Sequence, residues 1–198
     1  AGGPQPLPEI DSVDAVSLDA ETISPREAFR LTDRPYEDIQ PAMASVSDNK
    51  QLVIWGQQDE NKSAEAGHDL VGRWYENGSW SDVFSLTDDS YAHADPVCAA
   101  TASGQILVAW KRLSTDLTST TDRLDTVAAV NDTRNETEIA YSIYDGNAWS
   151  TPRTLTNTSV VQRRPTVATA NDKWHLAWES FDRANNTTTV RSTVVSPD

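Results

Sequence analysis

Short, largely apolar runs that each end in a tryptophan recur three times along this chain of 198 residues. They occupy positions 52–55, 107–110 and 175–178, and they read Leu-Val-Ile-Trp, Leu-Val-Ala-Trp and His-Leu-Ala-Trp. The apolar residues are consecutive rather than alternating, and no long stretch of the chain shows helical spacing of apolar residues. The pattern therefore predicts short strands that are buried on both faces.

The surroundings of each run keep a common register. Pro41, Pro96 and Pro165 precede the three tryptophans by 14, 14 and 13 residues, and each opens a strand of small residues. A Leu-Thr pair precedes each proline, at positions 31–32, 86–87 and 155–156, with nine residues from threonine to proline every time. Spacing held over three copies is the mark of a repeat architecture.

One repeat contains four predicted strands. We name them A (the proline strand), B (the tryptophan strand), C (a tyrosine-containing strand) and D (from Trp-Ser to Leu-Thr), with a glycine turn at Gly78 or Gly146 between C and D. Copies stacked face to face would cover both faces of each sheet. The predicted fold is all-β, a β-propeller with blades of four antiparallel strands and about three repeats. A β-sandwich is the alternative, although a sandwich requires no register between copies.

The repeats divide the chain into an extended lead-in at 1–22 and a three-repeat propeller at 23–198. Within the propeller, strand D is expected at 24–32, complete A–D sets at 40–87 and 95–156, and strands A–C at 164–195. The last D strand is missing from this alignment. The first D strand could complete the last blade and close three blades, which is fewer than the usual four to eight. A longer chain, or several copies pooling their blades, could complete it instead.

The charge is strongly acidic, with 30 Asp and Glu against 16 Lys and Arg and a net charge of −14. Aspartate (20) outnumbers glutamate (10), and lysine (4) is much rarer than arginine (12). This composition resembles proteins of extreme halophiles, particularly haloarchaea, where dense carboxylates keep a surface hydrated and a Debye length under about 3 Å screens their repulsion. An ordinary acidic secreted protein is the alternative. Nucleic acid is excluded as a partner because the chain has no basic stripe.

Glycosylation sequons suggest an exported protein. The chain has 10 Asn, and 40 of its 198 residues are Ser or Thr, so chance predicts about two Asn-x-Ser/Thr sequons where seven occur. The predicted glycosylation sites are Asn61, Asn131, Asn135, Asn157 and Asn185. The one cysteine, Cys98, allows no intrachain disulfide and is predicted to be a packing residue. No apolar run reaches the length of about 20 residues that a membrane span needs.

The loops that could carry function lie on one rim. In an antiparallel blade the D–A and B–C loops emerge together, and here they comprise 33–40, 88–95, 157–164 and the long insertion at 111–138. We predict that Tyr36, Tyr91, Arg163 and Arg164 on this rim contact an anion, a cell-surface glycan or a surface protein. The alternative for the two arginines is a solvated pair that balances local acids.

A calcium site on the same rim is a second hypothesis. Its candidate ligands are hard carboxylate oxygens. They are Asp33, Asp38, Asp88, Asp89 and Asp95. Their spacing matches no EF-hand, and acidic clusters arise by chance in so acidic a chain. The three histidines have no metal-ligand spacing, and His175 is expected to be a satisfied residue of an inner strand because it aligns with Leu52 and Leu107.

The C–D turns at 75–80 and 144–149 resemble the Asp-boxes of sialidase and BNR-repeat propellers, with the glycine-to-tryptophan part retained and the Ser and Asp displaced. That resemblance implies a β-propeller fold. Sialidase chemistry would also imply three clamping arginines, a tyrosine nucleophile paired with a glutamate, and an acidic aspartate, a set that the sequence does not assemble. We therefore expect a non-enzymatic, glycosylated extracellular module of a halophile surface or virion appendage, acting in adhesion, recognition or assembly. The alternative is a sialidase-like glycoside hydrolase or a carbohydrate-binding propeller.

Overall fold

The structure is a computed structural model, and it describes residues 30–59, 67–114 and 137–197. The chain divides into two compact units, Ala1–Asp33 and Arg34–Asp198, and the second unit contains every strand of the described ranges. The described residues form strands and turns without an α-helix. None of them therefore builds a helix able to cross a membrane.

Three antiparallel sheets follow one another along the chain, and we name them blades 1, 2 and 3. Blade 1 consists of β1 (Asp38–Ser47), β2 (Lys50–Gln58), β3 (His68–Glu76) and β4 (Ser79–Trp80) in that order, with β5 (Phe84–Ser85) also paired to β3. Blade 2 consists of β6 (His93–Ala100), β7 (Ile106–Leu113), β8 (Thr137–Tyr144) and β9 (Arg153–Thr154). Blade 3 consists of β10 (Val161–Ala170), β11 (Lys173–Asp182) and β12 (Thr187–Val195).

The predicted A, B and C strands are confirmed in all three blades, and strand D is shorter than predicted. In blade 1 the D segment pairs with β3 only at β4 and β5, and in blade 2 it pairs at β9 and at the bridge between Tyr144 and Trp149. The predicted first D strand lies mostly outside the described residues, and its last residues, 30–32, form no strand. The described sheets are three blades of a propeller-like stack rather than a closed ring.

Side chains from consecutive blades form two hydrophobic clusters. Ile106, Val108 and Trp110 of β7 pack against blade 1, whereas Leu107 and Ala109 pack against blade 3. We call the face of a blade that looks toward the preceding blade its backward face, and the opposite face its forward face. All five of these β7 residues are fully buried, which confirms the prediction of a strand covered on both sides.

Blade 3 departs from this arrangement. Trp174, Leu176 and Trp178 are buried on its backward face, against blade 2. His175 lies on the forward face and is exposed, so its prediction as a satisfied inner-strand residue was wrong. Its counterparts Leu52 and Leu107 are buried because a following blade covers them, and no blade within the described ranges follows blade 3.

Each proline strand contains a bulge at its proline. The register against the B strand shifts between Ile39 and Ala42, and it shifts at the same place in β6 and β10. The residue before each proline has a positive φ, with values of 52°, 53° and 52°. These residues are Gln40, Asp95 and Arg164. Proline cannot donate to a ladder, so a bulge is where a sheet accommodates it, and bulges re-aim the neighbouring side chains.

Asp172→Gly is expected to raise the free energy of unfolding by about 0.5–1 kcal/mol. Asn171 and Asp172 form the two-residue turn between β10 and β11 with φ values of 51° and 54°, the geometry in which Asn-Gly is preferred. Urea denaturation measures the change. Asp48→Gly, in the corresponding turn of blade 1, is the control and should lose stability, because Asp48 does not have a positive φ.

Candidate functional site

The predicted rim is where strands A begin, strands B end and strands C begin. In each blade the indole N–H of the repeat tryptophan donates a hydrogen bond to the side chain three residues before the proline. The pairs are Trp55 with Asp38 Oδ1 at 2.9 Å, Trp110 with His93 Nδ1 at 2.9 Å, and Trp178 with Gln162 Oε1 at 2.7 Å. A buried indole N–H needs an acceptor. The fold therefore requires an acceptor at this position, and carboxylate, imidazole and amide all meet the requirement.

The hydrogen bond from Trp110 determines which ring nitrogen of neutral His93 carries the proton. The Nε2 atom of His93 and carboxylate oxygens of Asp69 and Asp89 all lie within 4.8 Å of one another, which is close enough for a metal site. Because Nδ1 accepts the indole N–H of Trp110, the proton of the neutral ring sits on Nε2 and points at Asp89 Oδ1, 2.8 Å away. A histidine binds metal through an unprotonated nitrogen. The cluster is therefore better described as a hydrogen-bond relay than as a metal centre.

Within the described ranges, the five aspartates predicted to bind calcium do not come together in one group of ligand atoms. Asp38 accepts from Trp55 and Gln57, and Asp89 accepts from His93 and from the N–H of Tyr91. Asp95 bonds to the side-chain amide of Gln40 and forms an ion pair of 2.9 Å with Lys111. Asp33 pairs with Arg30 inside the first unit, and Asp88 lines a pocket described below. Calcium binding by these residues stays a prediction.

Arg163 and Arg164 both bind one carboxylate. Arg163 Nε lies 2.9 Å from Glu179 Oε2, and Arg164 Nη1 lies 2.9 Å from Glu179 Oε1. These two charge-assisted hydrogen bonds, Arg164 first, hold the pKa of Glu179 below its usual value. The structure thus places both predicted contact arginines on the rim of blade 3 and gives both guanidinium groups an internal acidic partner.

Arg164→Gln is expected to raise the pKa of Glu179 toward its usual value of about 4.5. A carboxyl whose pKa is depressed by folding contributes stability above its unfolded pKa, and that contribution is lost as the pH falls through the folded pKa. The loss should thus occur below about pH 4.5, and at lower pH in the original chain than in the variant. Carbon NMR titration of the Glu179 carboxyl measures its titration midpoint in the original chain and in the variant. Equal midpoints would contradict the role of Arg164 in lowering the pKa of Glu179.

The two rim tyrosines each lie beneath an arginine. The guanidinium carbon of Arg34 lies 5.4 Å from the ring centre of Tyr36, and that of Arg112 lies 4.3 Å from the ring centre of Tyr91. Arg112 also forms an ion pair of 3.6 Å with Glu138. Among the described residues, these contacts do not assemble three arginines around one tyrosine and glutamate.

A polar pocket of about 210 Å³ lies on this rim, beside the end of β2 and the start of β3. Its lining is polar except for one valine. The lining residues are Arg34, Gln57, Gln58, Asp59, Asp69, Val71, Ser85 and Asp88. Of these, sequence reasoning singled out only Asp88. Arg34 lies in the predicted D–A loop at 33–40. The remaining residues stand at the end of strand B, the start of strand C or the end of strand D, and the repeat alignment could have marked the B and C positions as rim residues.

Several lining side chains are held in place by their neighbours. Gln57 accepts a hydrogen bond from Arg34 through Oε1 and donates to Asp38 through Nε2. Asp69 accepts from the hydroxyl of Thr87 at 3.1 Å, and that hydroxyl in turn accepts the backbone N–H of Leu70. Groups that are already oriented lose little conformational freedom when a ligand binds.

The sequons fall in different places. Asn157 and Asn185 are exposed, whereas Asn61, Asn131 and Asn135 lie outside the described residues. The side-chain nitrogen of Asn185 donates to Asp182 Oδ2 at 2.8 Å, and this bond lowers the pKa of Asp182. Attachment of a glycan to that nitrogen would leave it one N–H for the bond. Glycosylation at these positions stays a prediction.

Cys98 packs against the cluster between blades 1 and 2. Desolvation by burial raises the pKa of its thiol to about 12, so the reactive thiolate is scarce at neutral pH. Its assignment as a packing residue agrees with this position.

Comparisons by sequence identify no relative. No protein-family model matches the chain, and no curated protein matches it. The relationship to known proteins therefore rests on structure alone.

Solved structures do resemble the fold. A Trypanosoma rangeli sialidase in complex with the inhibitor DANA matches 81% of this chain and 29% of its own length, with 7% identity and a TM-score of 0.55. A family 117 glycoside hydrolase from Zobellia galactanivorans matches 81% of this chain and 52% of its own length, with 10% identity and a TM-score of 0.49. The chain thus spans less than a third of the sialidase and about half of the hydrolase. At such identity the sialidase likeness shows the fold alone: an all-β, sialidase-like propeller fold of which three sheets are present.

Proposed function

We propose that this chain is a carbohydrate-binding propeller module whose site is the rim pocket beside β2 and β3. The pocket carries the proposal, because its lining combines the guanidinium of Arg34 and two side-chain amides with the carboxylates of Asp59, Asp69 and Asp88. Sugar hydroxyls both donate and accept hydrogen bonds, and such a lining offers both kinds of partner. The sialidase-like fold supports the same class of ligand.

The size of the pocket limits the ligand. At about 210 Å³ it is smaller than the roughly 300–1,000 Å³ of sites for drug-sized molecules. A single sugar unit, such as the terminal unit of a glycan, fits that volume better than an oligosaccharide buried along its length. The carboxylates favour a ligand that is neutral or carries a cationic group, because only Arg34 supplies a positive charge in the lining.

Binding is preferred to the adhesion module expected from the sequence, because fold and pocket both support the carbohydrate alternative better. Hydrolysis is the second candidate, and the observation that favours it is the presence of three carboxylates in one pocket. Glycosidases use a pair of carboxyl groups, one as acid and one as base or nucleophile. Binding remains the first candidate, because the rim arginines contact acids and tyrosines of their own blades.

The ligand hypothesis is tested on a glycan array, followed by calorimetry with the best-bound glycan in dilute and in molar salt. Asp88→Asn is expected to weaken binding about tenfold, the cost of about one charge-assisted hydrogen bond. Asp48→Asn is the matched control and should bind like the original chain, because Asp48 lies in the turn at the opposite end of blade 1.

Two outcomes would change the conclusion. Turnover of a chromogenic glycoside that disappears in Asp88→Asn would establish the hydrolase instead. Absence of binding to every glycan on the array, at both salt concentrations, would remove the carbohydrate proposal altogether.

We extend the proposal to the setting of the module, on the basis of composition alone. The surplus of 14 negative charges supports a halophilic and exported protein, and the sequons support a glycosylated cell-surface or virion-surface one. A halophilic chain should gain stability as potassium chloride rises to molar concentration. Thermal unfolding measured across that range tests the assignment, and a melting temperature that falls with salt would contradict it.

A further inference from the structure

Three exposed apolar side chains occupy positions that are packed between strands or blades elsewhere in the molecule. They are Met43, Val190 and Val194, whose exposed fractions are 66%, 78% and 50%. Large apolar groups left exposed at repeat-equivalent positions indicate a surface that another element covers. Met43 belongs to the first blade of the stack and the two valines belong to the last.

Val190 of β12 is the counterpart of Leu70 and Ile139. Each of the three pairs with the residue that follows the repeat tryptophan. In blades 1 and 2 these counterparts are fully buried, and each bonds to the Leu-Thr end of a D strand. The N–H of Leu70 donates to Thr87 Oγ1 at 2.8 Å, and the N–H of Ile139 donates to Thr156 Oγ1 at 2.9 Å.

Val194 lies four residues further along β12, and its counterparts in blades 1 and 2 are also bonded to a D strand. Its counterparts Trp74 and Ile143 each bond to the serine of a Trp-Ser pair, through N–H donation of 3.0 Å to Ser81 Oγ and to Ser150 Oγ. In the described part of the chain, β12 is the edge strand of blade 3. The two exposed valines therefore mark an edge that is shaped for a D strand.

Met43 marks the other end of the stack. It lies on the backward face of β1, paired with Val53, and its counterparts are Cys98 and Val167. Cys98 packs between blades 1 and 2, and Val167 packs between blades 2 and 3. Val53 on the same face is buried in the single chain, so the open part of this face is the innermost strand.

We propose that blade 3 binds a second copy of this chain, which lays the segment ending in Leu31-Thr32 along β12 and places its blade 1 against the forward face of blade 3. The Leu-Thr pair is the third copy of the sequence that bonds to Leu70 and Ile139, and Phe29 stands where blade 1 has Phe84. The serine is not repeated, because its place is taken by Arg26. The polar contacts expected at Val190 are thus the threonine bond and a backbone bond from the N–H of Leu31, like those that Leu86 and Leu155 make to Leu70 and Ile139.

Connection lengths favour this arrangement. Thr87 stands six residues before β6 and Thr156 stands five residues before β10, so each D strand leads directly into the blade that packs in front of it. Thr32 stands six residues before β1, a reach of at most about 20 Å. The connection from Thr32 to blade 1 thus has the same length as the connections between consecutive blades.

Blade number favours two copies. Closure of one chain upon itself would make three blades, whereas propellers usually contain four to eight. The forward face of blade 3 is also open in the single chain, as the exposure of His175 and Val194 shows. Two copies related by a twofold axis would make six blades with two equal interfaces, a closed assembly.

The test is the mass of the full chain in molar salt by light scattering coupled to size exclusion. The expected mass is that of two 21.7 kDa chains. Val190→Glu is expected to weaken the dimer at least about tenfold. Thr154→Glu changes an exposed residue of β9 in blade 2, a blade that takes no part in the proposed interface, and should leave the dimer intact. A monomer at micromolar concentration, or equal effects of the two substitutions, would overturn the proposal.

Cross-linking separates a second copy from closure of one chain. Thr32→Cys and Val190→Cys are made in separate chains, mixed and oxidised, with the partly buried Cys98 replaced by valine, the residue at its counterpart Val167. Under the proposal the mixture gives a disulfide-linked species at the mass of two chains. If the double variant instead gives an internal disulfide at the mass of one chain, the segment inserts into its own blade 3 and the proposal fails.

Discussion

His93→Leu is expected to lower the free energy of unfolding by about 2–3 kcal/mol. His93 is almost fully buried, and its Nδ1 accepts the indole N–H of Trp110, itself fully buried. Leucine fills a similar volume but accepts nothing, so the indole N–H would be left without a partner. An unsatisfied buried donor retains its full desolvation cost, which is larger than the net value of the bond.

His93→Gln separates the hydrogen bond from every other property of the histidine. In blade 3 the equivalent acceptor is Gln162, which takes the indole N–H of Trp178 at 2.7 Å. Glutamine at 93 should therefore cost less than about 1 kcal/mol, since it keeps the acceptor. Urea denaturation of both variants measures the difference. Equal losses would show that the fold needs the imidazole itself, and a loss of metal-dependent stability in His93→Gln would restore the metal interpretation of Asp69, Asp89 and His93.

Gly72→Ala is expected to destabilise blade 1 by about 2–3 kcal/mol through overpacking. A Cβ at this position would lie 2.8 Å from the carbonyl oxygen of Val53 and 2.9 Å from the ring of Phe84. The carbonyl belongs to the neighbouring strand and the ring is wedged beside Trp74 and Trp149, so neither neighbour can move cheaply. Thermal unfolding should show one transition at a clearly lower temperature.

Gly56→Ala provides the comparison within the same sheet. The nearest atom to its new Cβ would be Cγ1 of Ile39 at 3.1 Å, and a side-chain atom can shift by a few tenths of an ångström. A much smaller loss is expected there. A larger loss at Gly56 than at Gly72 would mean that side-chain crowding, rather than the backbone contact with Val53, controls packing in blade 1.

The repeat allowed the fold to be predicted, because the register of prolines, tryptophans and Leu-Thr pairs reports directly on strand pairing. It placed Cys98 correctly as a packing residue. It failed for His175 because an alignment assigns equal environments to equal positions, whereas the last blade of a stack has one face that no sheet in the described ranges covers. The shortness of the D strands was also missed. The D segment of blade 1 is held by the side chains of Ser81 and Thr87 and by isolated backbone bonds at the same places, rather than by a continuous ladder.

The site was harder to predict than the fold. Tyr36 and Tyr91 lie in rim loops as predicted, whereas Arg163 and Arg164 lie in strand β10, at its bulge, rather than in a loop. The cation–π and ionic partners of all four could not be read from sequence. The pocket residues Gln57 and Asp69 were missed because they are ordinary polar residues whose proximity depends on strands β2 and β3 pairing at their ends. In an acidic chain the number of carboxylates conceals the few that matter, and only geometry separates them.

The bulges before the three prolines place residues other than glycine in a left-handed backbone conformation. Gln40, Asp95 and Arg164 hold φ values near 52°, a conformation that glycine adopts freely and that costs other residues of order 1 kcal/mol. Glycine at all three positions would thus be the more stable solution for the backbone. The chain instead carries an amide, a carboxylate and a guanidinium there, one for each blade. Each of these side chains makes a rim contact that glycine could not make: Gln40 bonds to Asp95, Asp95 pairs with Lys111, and Arg164 bonds to Glu179.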